Sequence, residues 1–183
     1  MTAHAELASY RKPLTSASVS STVHIDRPRP SDGTALWRLA RDSRTLDLNS
    51  SYSYLLWCRD FAGTSAIARD RAGRAVGFVS GYLRPDRPGT LFIWQTAVDE
   101  SVRGLGIAGA MLDSLSARVA AEHGLSFLET TITPGNHSSE RLFASYAERH
   151  GAALEREVLF PADAFPGGGH QPEVLHRIGQ LHF

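Results

Sequence analysis

The sequence predicts one mixed α/β domain, a central sheet of about seven strands with helices on both faces. Three observations carry this. The length of 183 residues fits a single domain plus a tail. The apolar patterning runs in the order helices, a stretch of antiparallel strands, then strand–helix–strand–helix–strand–strand. No internal repeat interrupts that order.

Residues 1–22 are rich in Ser, Thr and Ala without hydrophobic periodicity, so they are expected to be a disordered tail ahead of a domain spanning 23–183. Val23 to Ile25 is a short strand candidate, ended by Arg27-Pro28-Arg29-Pro30. Ser31-Asp32-Gly33 reads as a capped helix start, and Leu36, Leu39 and Ala40 keep helical spacing. Leu46 to Ser53 is a polar loop, and Tyr54 to Phe61 a second short helix. Thr64 to Arg69 and Ala75 to Leu83 form a strand pair joined by the turn Asp70 to Arg74. Arg84 to Gly89 is a loop, in which Arg84 and Arg87 read, like Arg29 earlier in the chain, as solvated charges. Leu91 to Val98 is the third long strand, and a helix follows over Ile107 to Glu122, stopped by His123-Gly124. Leu125 to Ile132 is a strand and Ser138 to His150 a helix. Ala152 to Phe160 and Pro172 to Ile178 are the last strands, separated by the glycine-rich loop Phe165 to His170.

Lys plus Arg and Asp plus Glu both number 19, so the formal net charge is zero. Such a chain has no general pull toward nucleic acid or an anionic membrane, and neither is expected as a partner. No apolar run is long enough to span a bilayer, and no secretory leader is visible at the N-terminus. Cys58 is the only cysteine, which suits a reducing cytoplasm, and its apolar surroundings read as core.

The stretch Val98 to Ala108 carries the chemistry. A strand, a glycine turn (Arg103-Gly104-Leu105-Gly106-Ile107-Ala108) and a helix opening make an anion pocket. The glycines let backbone approach a ligand, and the first helical N–H groups point at it. No Gly-Lys-Ser/Thr follows, and the dinucleotide-binding spacing is missing. The turn resembles the Arg/Gln-x-x-Gly-x-Gly/Ala signature of the GCN5-related N-acetyltransferases (GNAT). Asn136 to Phe143 resembles that family's second motif, in which an Asn opens a helix along the pantetheine arm. The resemblance implies the GNAT fold, acetyl-CoA as cosubstrate and no metal. It makes Val98, Arg103, Gly104, Leu105, Gly106, Ile107, Ala108, Asn136 and Phe143 the expected cofactor-binding residues.

Further strings, Thr45 to Tyr54, Gly77 to Tyr82, Leu91 to Gln95 and Glu129 to Pro134, resemble the diaminobutyrate N-acetyltransferases of ectoine biosynthesis from about residue 23 onward. That resemblance implies acetyl transfer to the side-chain amine of L-2,4-diaminobutyrate by direct attack in a ternary complex, in a cytoplasmic homodimer. A diamino acid needs an acid for its α-ammonium, donors for its carboxylate and a wall for its short chain. Asp47 can pair the ammonium, with Asn49, Ser51 and Tyr52 from the same loop. Trp94 and Gln95 are adjacent on a strand, so one is expected to face the substrate and the other away. Thr130 follows Glu129, which is the expected base for the reacting amine. Many family members protonate the leaving thiolate with a Tyr where this chain has Phe143; Tyr146 on the same helix face, Tyr52, or solvent remains. His170 and Glu173 flank the glycine-rich loop and can close over the substrate, but two ligands do not make a metal site. Cys58 is not expected to carry the acetyl group. The alternatives are a GNAT enzyme acting on another small amine or a peptide N-terminus, and a non-catalytic acyl-CoA sensor.

Overall fold

The computed structural model describes residues 23–167 and 169–183, so the expected tail lies outside the described residues. In chain order the elements are β1 (His24–Asp26), α1 (Gly33–Ser43), α2 (Ser51–Asp60), β2 (Ala66–Arg69), β3 (Ala75–Leu83), β4 (Thr90–Val98), α3 (Ile107–His123), β5 (Phe127–Ile132), α4 (His137–Arg149), β6 (Ala153–Phe160) and β7 (Glu173–Gly179). The strands form one seven-stranded sheet in the order β1-β2-β3-β4-β5-β7-β6. Every neighbouring pair is antiparallel except β4 with β5.

Each helix lies where its apolar stripe directs it. On α3, Ile107, Met111, Leu112, Leu115 and Val119 are buried against Val79, Leu91, Ile93 and Leu128, together with Phe143, Tyr146 and Ala147 of α4. Fully burying such side chains stabilises by about 1.5–3 kcal/mol each, so this face holds most of the core. The opposite face is smaller: Leu36, Leu39 and Ala40 of α1 and Tyr54 and Cys58 of α2 cover Ile67, Phe78 and Ala97. Asp32 does not cap α1 as expected. Its carboxylate accepts from the Arg29 backbone N–H and from Arg69, each at 2.7 Å, and so ties the helix entry to β2.

Two irregularities shape the middle of the sheet. β4 and β5 pair only from Thr90–Phe127 to Ile93–Thr130, after which β4 continues with β3 and β5 with β7, so the strands part. At the same level the β3–β4 register shifts: Ser80 faces Gln95 while Gly81 faces Ile93, which leaves Trp94 as a bulge. A Cβ at Gly81 would lie 2.7 Å from the Phe92 carbonyl oxygen, so this crossing requires glycine.

Candidate active site

A cavity of about 740 Å³ opens where β4 and β5 separate. Its walls are Thr96, Ala97 and Val98 of β4, the turn from Val102 to Ala110, one face of α4, and Ser43, Thr45 and Leu46 from the end of α1 and the loop beyond. Gly104 and Gly106 have φ of 76° and 79°, a left-handed conformation that glycine adopts without strain. Gly106 occupies the N-cap of α3 without a side-chain cap, and the first bond of the helix runs from the Ala110 N–H to the Gly106 carbonyl. The N–H groups before Ala110 therefore face the cavity as donors for an anion. Arg103 donates to the Val98 carbonyl at 3.2 Å, pinning the turn against the strand end. Asp99 accepts from the Ser101 N–H and hydroxyl, and these bonds hold its carboxyl below the usual range.

Of the expected cofactor residues, Val98, Arg103, Gly104, Gly106, Ile107, Ala108 and Asn136 line this cavity. Asn136 is also the cap of α4, accepting from the Ser139 N–H at 3.2 Å. The Leu105 side chain packs on the main core, and its expected part is through the backbone N–H of the turn. Phe143 is a correction, since it is buried in that core. The reason is helical phase: Ser138, Arg141, Leu142, Ser145 and Arg149 form the α4 stripe that faces the cavity, whereas Phe143, Tyr146 and Ala147 face the core. Tyr146 does share a face with Phe143, but that face is buried. Its hydroxyl donates to Ser116 at 2.7 Å, and burial pushes its pKa up to about 12. It does not reach the cavity as an acid.

The expected substrate residues divide similarly. Asp47 is exposed, and among the described residues its carboxylate has no hydrogen bond or ion pair. Tyr52 stands out from the first turn of α2, 64% exposed. Asn49 donates to the Asp47 carbonyl at 3.3 Å, closing the loop on itself. The expectation that Trp94 and Gln95 point to opposite faces is wrong. The bulge breaks the alternation, so Trp94 stacks on Trp57 of α2 at 4.8 Å while Gln95 bonds Tyr54 of the same helix. Gln95 is buried with both ends of its amide used. It accepts from the Tyr54 hydroxyl at 3.1 Å and donates to the Asp47 carbonyl at 2.9 Å. It holds the Asp47 loop on the sheet. Thr130 is buried, with its hydroxyl directed at the Thr131 carbonyl. His170 stacks on Phe165 at 3.7 Å, with Nδ1 at 2.5 Å from the Gln171 carbonyl, and Glu173 begins β7.

Glu129 needs the largest correction. It is fully buried, one oxygen accepts from Arg84 at 2.9 Å, and Arg177 and Arg87 lie 3.8 and 3.9 Å from the other. A general base must reach the proton it removes. Here guanidinium groups occupy the approach. Arg84, expected to be a solvated loop charge, is the group that neutralises it. Thr96 also belongs to the cavity wall, and its buried hydroxyl has no hydrogen-bond partner among the described residues. No local pattern marks it. Cys58 is buried, and desolvation pushes its thiol up to about 12, which removes it as a nucleophile. Among the described residues, no three His, Cys, Asp or Glu side chains gather as a metal site requires, and no helix is long and apolar enough to cross a membrane.

Parted strands, a glycine turn at an uncapped helix and a capping Asn form one arrangement, and residues 33–147 match the family model described as Acetyltransferase (GNAT) family. The chain belongs to the GNAT family. The L-2,4-diaminobutyric acid acetyltransferase of Streptomyces avermitilis is 65% identical over 159 residues, 87% of this chain and 89% of that protein. That of Halomonas elongata is 41% identical over 162 residues, covering 87% and 82%. Among solved structures, the diaminobutyrate acetyltransferase of Paenibacillus lautus, in complex with L-2,4-diaminobutyric acid and coenzyme A, superposes with a TM-score of 0.82. It is 43% identical to this GNAT protein and covers 88% of this chain and 96% of that one.

Proposed function

We propose that this GNAT enzyme transfers acetyl from acetyl-CoA to the side-chain amine of L-2,4-diaminobutyrate, giving the N-γ-acetyl product used in ectoine synthesis. The observation that carries the reading is the likeness over 88% of this chain, at 43% identity, to an enzyme solved with that diamino acid and coenzyme A. The cavity supports it: donors at the α3 N-terminus suit a pyrophosphate, and Thr96 and the α4 stripe suit the amide-bearing arm beyond it. Bound acetyl-CoA supplies an activated acyl carbon that an uncharged amine attacks directly. The buried Cys58 gives no covalent alternative.

On this reading Asp47 holds the α-ammonium, so that the γ-nitrogen is the one presented to the acyl carbon, and Trp94 is the wall for the short chain. Water takes up the proton that the ammonium loses before attack and the one that the nitrogen loses on becoming an amide, and Tyr52, the exposed hydroxyl among the candidates, or solvent returns one to the leaving thiolate. His170 and Glu173 close over the substrate from the β6–β7 connection. We also read the enzyme as a cytoplasmic homodimer. The edge strand β6 supports the dimer, since Val158 and Phe160 are 59% and 50% exposed on it. Sedimentation of the purified protein tests that.

The activity is tested by thiol release from acetyl-CoA with diaminobutyrate, ornithine, lysine or a peptide offered in parallel. Diaminobutyrate should exceed the others in kcat/KM by about 100-fold, the scale that an extra methylene commands in a fitted pocket. Equal turnover of the four, or binding without turnover, overturns the reading.

A further inference from the structure

We infer that Arg87 and Arg177, held in place by the buried carboxylate of Glu129, bind the α-carboxylate of the substrate. The inference rests on the proposed diamino acid reaction and assigns the substrate group that the Asp47 carboxylate, itself an anion, repels.

The register brings the groups together. Tyr82, Phe92, Glu129, Arg177 and Glu155 pair in one row across five strands, and paired residues share a face. Leu128 next to Glu129 lies in the core beneath α3, so the row lies on the other face, the one that α1 and α2 cover at β3 and β4. Over β5, β7 and β6 that face carries no helix among the described residues. The row stands one residue before the point where β4 and β5 part. Aromatic rings connect it to Trp94: Trp94 stacks on Trp57, Trp57 lies 6.4 Å from Tyr82, and Tyr82 lies 5.2 Å from Phe92. These rings form an apolar floor that joins the Trp94 bulge to the row carrying Glu129 and Arg177.

The ion pairs there are unevenly made. Arg84, Arg87 and Arg177 face one buried carboxylate, Glu129, and only Arg84 has a second, Asp86, within 4 Å. Arg84 is fully engaged, donating to Glu129 and through two nitrogens to Asp86. Arg87 and Arg177 are not. They stand 3.9 and 3.8 Å from Glu129 Oε1, too far for a hydrogen bond, and that buried oxygen has no hydrogen-bond partner among the described residues. Glu155, beside Arg177 in the row, makes no ion pair within 4 Å and is exposed. Arg177 is held flat against Phe127, its guanidinium carbon 4.1 Å from the ring centre. A guanidinium has five donors, so each arginine can bridge Glu129 and a second carboxylate with a small shift. Glu129 is thus a positioning residue.

The test compares L-2,4-diaminobutyrate with 1,3-diaminopropane, which keeps both amines and their spacing but lacks the carboxylate. The unchanged enzyme should prefer the diamino acid by about 100-fold in kcat/KM, the range for losing a charge-assisted pair. In Arg87→Ala and in Arg177→Ala that ratio should fall by about tenfold or more, through a higher KM for diaminobutyrate, and Arg87→Lys should lie between. Glu129→Gln should lower the ratio too, without changing the KM for acetyl-CoA. An unchanged ratio in both alanine variants, or equal losses on the two amines, overturns the inference while the diaminobutyrate reaction stands. Absence of diaminobutyrate turnover in the unchanged enzyme overturns both.

Discussion

The two ends of the active site are built by different means. The cofactor end is local: one turn, Arg103 to Ala108, supplies the conformation, the donors and the helix terminus within six consecutive residues. The substrate end is assembled from afar. Gln95 reaches back 48 residues to the Asp47 carbonyl, and Arg84 reaches 45 forward to Glu129. A local motif tolerates change elsewhere in the chain and fails abruptly when its own backbone is altered. An assembled site loses function in graded steps, since each tie contributes a part.

If the two ends are separable, the largest effect belongs to the glycine turn. Gly106→Val places a β-branched residue at φ 79°, where an L-residue costs about 1–2 kcal/mol and a branched one more. The turn must move, and the donors move with it. The expected result is a loss of about 100-fold or more in kcat/KM for acetyl-CoA, with the KM for the diamino acid nearly unchanged. Equal losses for both substrates would mean the two ends are one unit.

Asp47→Ala probes the other end. A hydrogen bond to a charged group is worth about 1.5–3 kcal/mol, so the diaminobutyrate KM should rise about 10- to 100-fold while acetyl-CoA affinity holds. Gln95→Leu should give a smaller version, about tenfold, by freeing the same loop. It should also cost stability, because the buried Tyr54 hydroxyl loses its partner, at about 1–3 kcal/mol. Thermal unfolding separates the two variants: Asp47→Ala keeps its Tm and Gln95→Leu does not. If Gln95→Leu is silent in both measurements, the loop is held by something else.

This division also explains what was legible in the sequence. Strand and helix periods placed every element within a few residues, because β3 and α3 are long, apolar and bounded by clear turns. The glycine turn was legible because its chemistry lies in neighbouring residues. Trp94 and Gln95 were misread because a bulge is a property of two strands, and a single strand carries no mark of it. Glu129 was misread for a related cause. Its neighbours in space come from the β3–β4 turn and from β7, which pairs with β5 only after a long excursion through α4 and β6. Phe143 and Tyr146 were placed correctly relative to each other and wrongly relative to the cavity. Spacing gives the relative phase of a helix, whereas packing on α3 decides its absolute phase.

Tyr146 carries the smallest expected effect and the sharpest test of that last point. Tyr146→Phe removes one buried hydroxyl and leaves Ser116 Oγ without its partner. The expected change in kcat is within about twofold, with a stability loss of about 0.5–1.5 kcal/mol. If Tyr146 were the acid, kcat would fall by about 100-fold or more. Stability against pH reports the same burial. The folded protein holds the Tyr146 and Cys58 protons more tightly than the unfolded chain, with both groups pushed up to about 12 from ordinary values of 10 and 9. Their contribution is therefore complete below about pH 9 and is lost as pH rises toward about 12. Unfolding followed from pH 8 to 11 should show that decline, and Tyr146→Phe should flatten its upper part. An activity loss in this variant that tracks pH in the neutral range would place the hydroxyl in the reaction after all, and would join the core face of α4 to the substrate end.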